Sequence, residues 1–274
     1  MAQTAQEHLA TGDLAATLGT LQAQVRANPG DAKLRIFLFQ LLCVLGDWKR
    51  AITQLKLCAE LDSLAIPMAQ TYREAIICEV FREKVFAGEK DPLIFGEPDE
   101  WLALLCQSLK ALTQGQADRA AELRARAFDM APTTTGTIND QPFEWIADAD
   151  MRLGPVLEII LKGRYYWMPF AAIARLTVEK PTDLRDCVWS AAHVTFHNGG
   201  DSVALIPTRY AATAATGDDA AKLSRATHWG DAGGDIWVGI GQRLLTTDAG
   251  DTALLDLRSL TMAGDPAGAG ASGG

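Results

Sequence analysis

The chain has 274 residues, 48% of them hydrophobic and 22% charged, with a formal net charge of −9. This composition gives a globular protein with enough chain for two cores of common size. Residues 1–135 carry 14 basic and 17 acidic side chains and the remainder 11 and 17, so no basic stripe is available to neutralise phosphates, and nucleic acid is not an expected partner.

Met1 to Thr11 lacks a basic segment followed by an apolar one, so no secretory signal is expected. Gly12-Asp13-Leu14 and Gly46-Asp47-Trp48 lie 34 residues apart, and Gly115-Gln116-Ala117 follows 69 later. A period near 34 is that of the tetratricopeptide helical hairpin, whose stacked helices form a grooved surface for peptides or helices. The first such unit is announced by Leu14, Leu18, Leu21 and Val25 and closed by Pro29.

The clearest unit runs from 31 to 62. Asp31 caps a nearly all-apolar helix that Gly46-Asp47 ends, because glycine accepts positive φ. Its apolar stretch, Leu34 to Leu45, has twelve residues, interrupted by Arg35 and Gln40, where a membrane-spanning helix needs about twenty. The return helix, Trp48 to Leu61, keeps Trp48, Ala51, Ile52, Leu55 and Ala59 on one stripe, with Ala51 at the close approach.

Pro67 to Phe86 reads as one long helix stopped by Gly88, without the glycine turn of its neighbours, so the repeat is irregular. Glu97-Pro98-Asp99-Glu100 starts the next helix, Trp101 to Thr113, and Ala120 to Met130 returns from Gly115. Cys43, Cys58, Cys78 and Cys106 fall in apolar helical stretches without metal-site spacing, and read as reduced buried thiols.

After Thr133-Thr134-Thr135-Gly136 the period changes from helical to alternating. Strands are expected at Val156 to Leu161, Tyr165 to Met168, Ala174 to Val178, His193 to His197, Ser202 to Ile206, Ile236 to Ile240, Leu244 to Thr247 and Thr252 to Leu257. Asn198-Gly199-Gly200 supplies one hairpin turn. The expected fold class is therefore α+β: a tetratricopeptide-like helical domain over 1–135, a mainly antiparallel, barrel-like domain over 136–262, and a disordered Gly/Ala tail over 263–274. Ala211 to Ala221 reads as a mobile loop of small residues.

His193 and His197, four apart, would share a helix face as ligands, but on a strand they stand roughly 13 Å apart, too far for one ion. No metal and no cofactor are expected. Gly239-Ile240-Gly241 holds the first two glycines of a dinucleotide loop but lacks the following helix and acidic residue. Asp148, Asp150 and Asp183, with Arg152 and Arg185 beside them, read as structural ion pairs, the rival being a hydrolase or nucleotide-dependent enzyme in which the carboxylates converge. Tyr166 and Trp167, with Trp145 and Trp189, concentrate aromatic surface and are the candidate partner-binding residues, against core filling as the plainer reading.

Eight stretches in order, LRIFLFQLLCVLGDWKRAITQL from Leu34, YREAIICE from Tyr72, GEPDEWLALL from Gly96, FEWIADADMRLGPVLE from Phe143, GRYYWMPF from Gly163, PTDLRD from Pro181, IPTRY from Ile206 and GIGQRLL from Gly239, resemble the ImpE/TagJ family, also called SciE-type. These are accessory proteins of bacterial type VI secretion. The resemblance implies a non-enzymatic cytoplasmic adaptor that binds the N-terminal helix of the small, TssB-type subunit of the contractile sheath and influences sheath handling by the ClpV-type ATPase. It implies a helical, tetratricopeptide-like part followed by a mixed part, and supplies no catalytic motif. A generic tetratricopeptide-like scaffold with another client is the remaining alternative.

Overall fold

A computed structural model describes residues 3–97 and 99–263. Helices come first: α1 (Ala5–Thr11), α2 (Leu14–Ala27), α3 (Ala32–Leu45), α4 (Trp48–Leu61) and α5 (Ile66–Phe86), then a short strand β1 (Leu93–Ile94), then α6 (Glu100–Thr113) and α7 (Ala117–Met130). The α3–α4 hairpin follows from its local chemistry. The Asp31 carboxylate accepts from the Lys33 and Leu34 amides, and Gly46 ends α3 at φ 74°, its amide donating back to Leu42 and Cys43. Asp47 then caps α4 through the Arg50 amide. Ala51 is fully buried at the crossing of the two helices. The expected helix start at 97–100 resolves to Asp99 as cap residue and Glu100 as the first helical one, with Pro98 outside the described residues.

The sheet part comprises β2 (Gly136–Ile138), β3 (Gln141–Phe143), β4 (Ile146–Asp148), β5 (Val156–Leu161), β6 (Arg164–Pro169), β7 (Ile173–Val178), β8 (Trp189–Phe196) and β9 (Asp201–Pro207). Two single-turn helices follow, α8 (Thr213–Thr216) and α9 (Asp219–Lys222), then β10 (Thr227–Asp231), β11 (Trp237–Gly241), β12 (Leu244–Thr247), β13 (Gly250–Ala253) and β14 (Ser259–Met262). Nine strands form one sheet in the order β1-β6-β5-β9-β8-β7-β14-β2-β3, antiparallel except where β1 joins β6 in parallel, so the helical part contributes an edge strand. The expected strand over 252–257 is shorter: β13 ends at Ala253, and Leu254–Asp256 forms a 3₁₀ turn. The Gly/Ala tail expected over 263–274 lies, except for Ala263, outside the described residues.

Two apolar clusters fill the molecule, and the line between them runs through the sheet. The larger joins Leu21, Phe39, Leu42, Ile76 and Leu105 of the helices to Val156, Tyr165, Trp167 and Trp189 of the sheet. The smaller occupies the other face, with Leu157, Ile159, Leu176, Val194, Ile206 and Leu260, joined there by Leu245, Leu254 and Leu257. With both faces covered, β5 is buried at every position.

The segment 211–221, expected to move, is docked instead. Its Thr213 hydroxyl accepts from the Gly241 amide at 2.8 Å, and the Asp219 carboxylate accepts from the Leu14 amide at 3.0 Å. Ala214 sits so near Gly46 that a Cβ on that glycine would come within 2.7 Å of the alanine methyl. Small residues permit close approach here; they do not signal slack.

Candidate functional site

At the junction of helices and sheet lies a buried charge network centred on Glu158, the one charged residue of β5. Arg82 on α5 reaches it with both ends of its fork, Nε to Oε1 at 2.6 Å and Nη2 to Oε2 at 2.8 Å. The same guanidinium donates to Glu79 at 3.2 Å and to the Arg209 carbonyl at 2.9 Å. Arg243, just before β12, bridges Glu158 and Asp148, and the Tyr165 hydroxyl donates to Glu158. Asp150 in turn holds Arg152, with Nε at 2.8 Å, and accepts from the Gly239 amide at 3.0 Å. Four elements distant in sequence are thus tied at one point.

Burial alone penalises the charged form of Glu158, but Arg82 and Arg243, with the hydrogen bonds from Arg82 and Tyr165, outweigh it and hold the carboxyl well below its ordinary range. At Asp148 burial wins over the attraction of Arg243, helped by the nearby Asp150 charge, and the carboxyl is pushed up to about 7. Arg209 donates to the Cys43 and Val44 carbonyls at the C-terminus of α3, at 2.8 and 2.6 Å, and to the Lys222 carbonyl at 2.8 Å. Burial lowers its pKa to about 10, and the negative end of the helix dipole favours its charge.

This arrangement bears on the carboxylates singled out in the sequence. Asp148 and Asp150 are buried and committed to Arg243 and Arg152, while Asp183 pairs with Arg185 at 2.7 Å on a separate, half-exposed turn. The three do not converge in one pocket. The glycines of 239–241 serve packing: a Cβ on Gly239 would meet the Tyr210 ring at 2.2 Å. His193 faces Asp201 at 3.2 Å across the β8–β9 hairpin.

Of the four candidate aromatic residues, two are withdrawn from the surface. Trp167 and Trp189 are fully buried because each indole N–H has an interior acceptor, the Tyr165 hydroxyl at 2.8 Å and the Glu79 carboxylate at 3.0 Å. Tyr166, one residue along the strand, points to the opposite face, edge-on to Phe95, which stacks on Phe196 with ring centroids 4.6 Å apart. Trp145 is 42% exposed, beside a cavity lined by Phe128, Pro132 and Pro155. Only Trp145 and Tyr166 of the four are reachable by a partner, and they stand on different surfaces.

The surface feature that sequence reasoning missed is apolar. Between α4 and α5 runs a groove of about 300 Å³ lined by Ile52, Leu55, Ala59, Ile66 and Ala69, with Lys56, Gln70 and Arg73 along its margin. Leu61 and Ile66 flank it exposed, and Leu64, on the turn between the helices, is 87% exposed. The signal was present in Leu61, Leu64 and Ile66, too many large apolar side chains for a polar turn.

Comparison with known proteins agrees with this architecture. A crystal structure of a Vibrio parahaemolyticus protein, 25% identical, superposes with a TM-score of 0.87 over 96% of this chain and 98% of its own. The family described as "ImpE protein" matches residues 140–261. A Pseudomonas aeruginosa protein named "Type VI secretion system accessory component TagJ" is 54% identical over 260 residues, covering 95% of this chain and 91% of that relative. With that identity along nearly its whole length, the chain belongs to the ImpE/TagJ family.

Proposed function

We propose that this chain is a non-enzymatic adaptor of a bacterial type VI secretion system, acting in the cytoplasm, which holds the N-terminal helix of the TssB-type sheath subunit and thereby affects how the ClpV-type ATPase handles the sheath. The observation that carries the reading is the contrast between interior and surface. The strongly charged groups of the aspartate–arginine cluster are consumed in pairing, whereas large apolar side chains stand open along the α4–α5 groove. An amphipathic helix binds such a groove by laying its apolar face into it, which needs no reacting group. Family membership supports the secretion-system setting. No described helix is long and apolar enough to cross a membrane.

The test is titration of a fluorescent N-terminal peptide of the small sheath subunit with the full chain. Saturable binding in the micromolar range or tighter is expected, as is usual for helix-in-groove partners. Absence of binding at roughly millimolar protein, a weakness corresponding to about 4 kcal/mol, would remove the reading. Trp145→Ala and Tyr166→Ala in the same titration ask whether the helix reaches either accessible aromatic residue.

A further inference from the structure

The β10–β11 ribbon has one open edge. Ala226 accepts from the Gln242 amide and Ala232 donates to the Ile236 carbonyl, so the even residues of β10 bond to β11 in the register that sets Trp229 opposite Gly239. The odd residues of β11 turn the other way and are met by the body of the protein. The Gly239 amide donates to Asp150 and the Gly241 amide to the Thr213 hydroxyl, while the Trp237 carbonyl accepts from the Met151 amide. By the same alternation Thr227, Trp229 and Asp231 aim their backbone N–H and C=O groups away from β11, and none of these groups has a hydrogen-bond partner among the described residues. The nine-stranded sheet ends instead in β1, two residues long, and β3, which contains Pro142, both usual protections of an edge. β10 runs five residues in unbroken register, without proline or lysine, and Trp229 on it is 39% exposed. We infer that β10 pairs antiparallel with β10 of a second copy of this chain, about a two-fold axis at Trp229.

The register selects that occupant. Of the antiparallel two-fold alignments, the one centred on Trp229 overlaps the whole strand and gives every outward N–H and C=O of one copy its complement on the other. It sets Trp229 against its own counterpart, Thr227 against the other copy's Asp231 and His228 against the other copy's Gly230, so no like charges face each other across the seam. A centre at Asp231 would set that carboxylate against itself, and a centre at His228 or Gly230 would leave part of the strand unpaired. The neighbouring charges are engaged within the chain: His228 faces Asp218 at 3.3 Å, on the side of the ribbon opposite Trp229, and the Arg225 guanidinium donates to the Leu9 and Ala10 carbonyls at 3.1 and 3.3 Å. The central aromatic pair has room, because Gly239 carries no side chain opposite Trp229, whose ring packs on Tyr210 with centroids 5.7 Å apart. A foreign strand could use the same backbone groups; the self-matched register is what singles out a second copy. A contact one strand wide is at the small end of interfaces, so the dimer is a reversible one. The inference does not use the adaptor reading, and β10 shares no residue with the α4–α5 groove.

The experiment is sedimentation of the full chain across a concentration series, with a labelled N-terminal peptide of the small sheath subunit titrated in parallel. The wild type should show a monomer–dimer equilibrium in the micromolar to submillimolar range. Thr227→Asp places a carboxylate opposite Asp231 at both ends of the seam and should weaken the dimer about tenfold or more, whereas Thr227→Lys places an ammonium there and should tighten it about threefold, both effects fading with salt. Each substitution forfeits the same hydroxyl bond to the Gln242 carbonyl, so opposite signs report the seam itself. Trp229→Pro removes the central N–H and the aromatic pair and should abolish the dimer. Because that N–H faces solvent in the monomer, circular dichroism and urea unfolding should show the variant folded, and should it not fold, the two Thr227 variants decide. Val203→Glu on β9 and Ile77→Glu on α5, both at exposed positions, should leave dimerisation unchanged. A monomer at about millimolar concentration, a dimer indifferent to a folded Trp229→Pro, a dimer dissociated by Ile77→Glu, or the two Thr227 variants acting in the same direction would each overturn the pairing. So would a sheath peptide whose binding is lost in Trp229→Pro, since the edge would then serve a foreign strand. If the peptide fails to bind the wild type while the dimer behaves as expected, the adaptor reading falls and the pairing stands.

Discussion

The two faces of α5 obey opposite rules. Inward, where apolar side chains are the norm, Arg82 and Glu79 are buried and joined to Glu158; outward, where charges are the norm, Ile66, Ile77 and Val80 meet solvent. The inner face shows that a buried charge is tolerable when it is paired and hydrogen-bonded, and then fixes two layers in register. The outer face leaves large apolar side chains in solvent, the kind of surface that marks interaction sites. A single helix thus carries both the joint of the molecule and its proposed docking surface.

The largest effect is expected from removing what the inner face touches. Residues 1–135 and 136–262 differ in secondary structure, and we propose that they do not form separate cooperative units, because the larger apolar cluster and the Arg82–Glu158 pair both cross the boundary. A fragment ending at 135 should show reduced helicity by circular dichroism and no cooperative unfolding transition, while the full chain unfolds in one step. An independently cooperative fragment would show that the joint is dispensable.

Next in size is Arg82→Ala. It leaves Glu158 with Arg243 as its one cation and strips Glu79 of its own, so a loss of ~3–5 kcal/mol in urea unfolding is expected. Replacing Arg82, Glu158 and Glu79 together by methionine and leucine should recover much of that loss, since the expense lies in the charge left unpaired. Recovery would mean that the network supplies register more than net stability.

These inner charges explain where the sequence was legible and where it was not. The bounds of α4, β5 and β12 are readable because local signals suffice: a capping aspartate and a stripe for α4, apolar runs cut by Gly, Pro or Asp for the strands. Gly12, Gly46 and Gly115 end their helices at positive φ, as the period near 34 implies. α5 misleads because Glu79 and Arg82, three apart, look like an ordinary solvent pair, and only the sheet brings Glu158 to them. Glu158 itself left a trace, a lone charge within Val156 to Leu161, where both faces of a strand are covered. Trp167 and Trp189 could not be sorted from Trp145 in the sequence, because their acceptors lie two and 110 residues away and the choice is made by tertiary contact. β2, β3 and β4, at three residues each, are too short to display a period.

Smaller again is a pH effect from the same network. Asp148 has its carboxyl pushed up to about 7 when folded, against about 3.9 for an unperturbed aspartate, so the folded state holds the proton more firmly over that interval. Its contribution to stability is therefore full below about pH 4 and declines as pH rises toward 7. Glu158, depressed below its ordinary range, acts in the reverse sense, stabilising above about pH 4.5 and losing that contribution as acid is added. Urea midpoints across about pH 2 to 8 should show the decline above pH 4 in the wild type and a flatter profile there in Asp148→Asn, with the acid-side loss below about pH 4.5 retained in both. A decline of equal slope in the variant would assign the titration to another group.

The two faces of α5 should also differ in stability at adjacent positions. Ile77→Thr on the outer face should change unfolding free energy by no more than about 0.5 kcal/mol, as for surface substitutions generally. Truncating Ile76, the fully buried neighbour in the larger cluster, to alanine should cost ~2–5 kcal/mol. Adjacent isoleucines of one helix would then differ severalfold in stability for a reason of position alone. If Ile77→Thr instead cost as much as Ile76→Ala, the outer stripe would have to be covered within the free protein, and an incoming helix would have to displace that cover before it could bind.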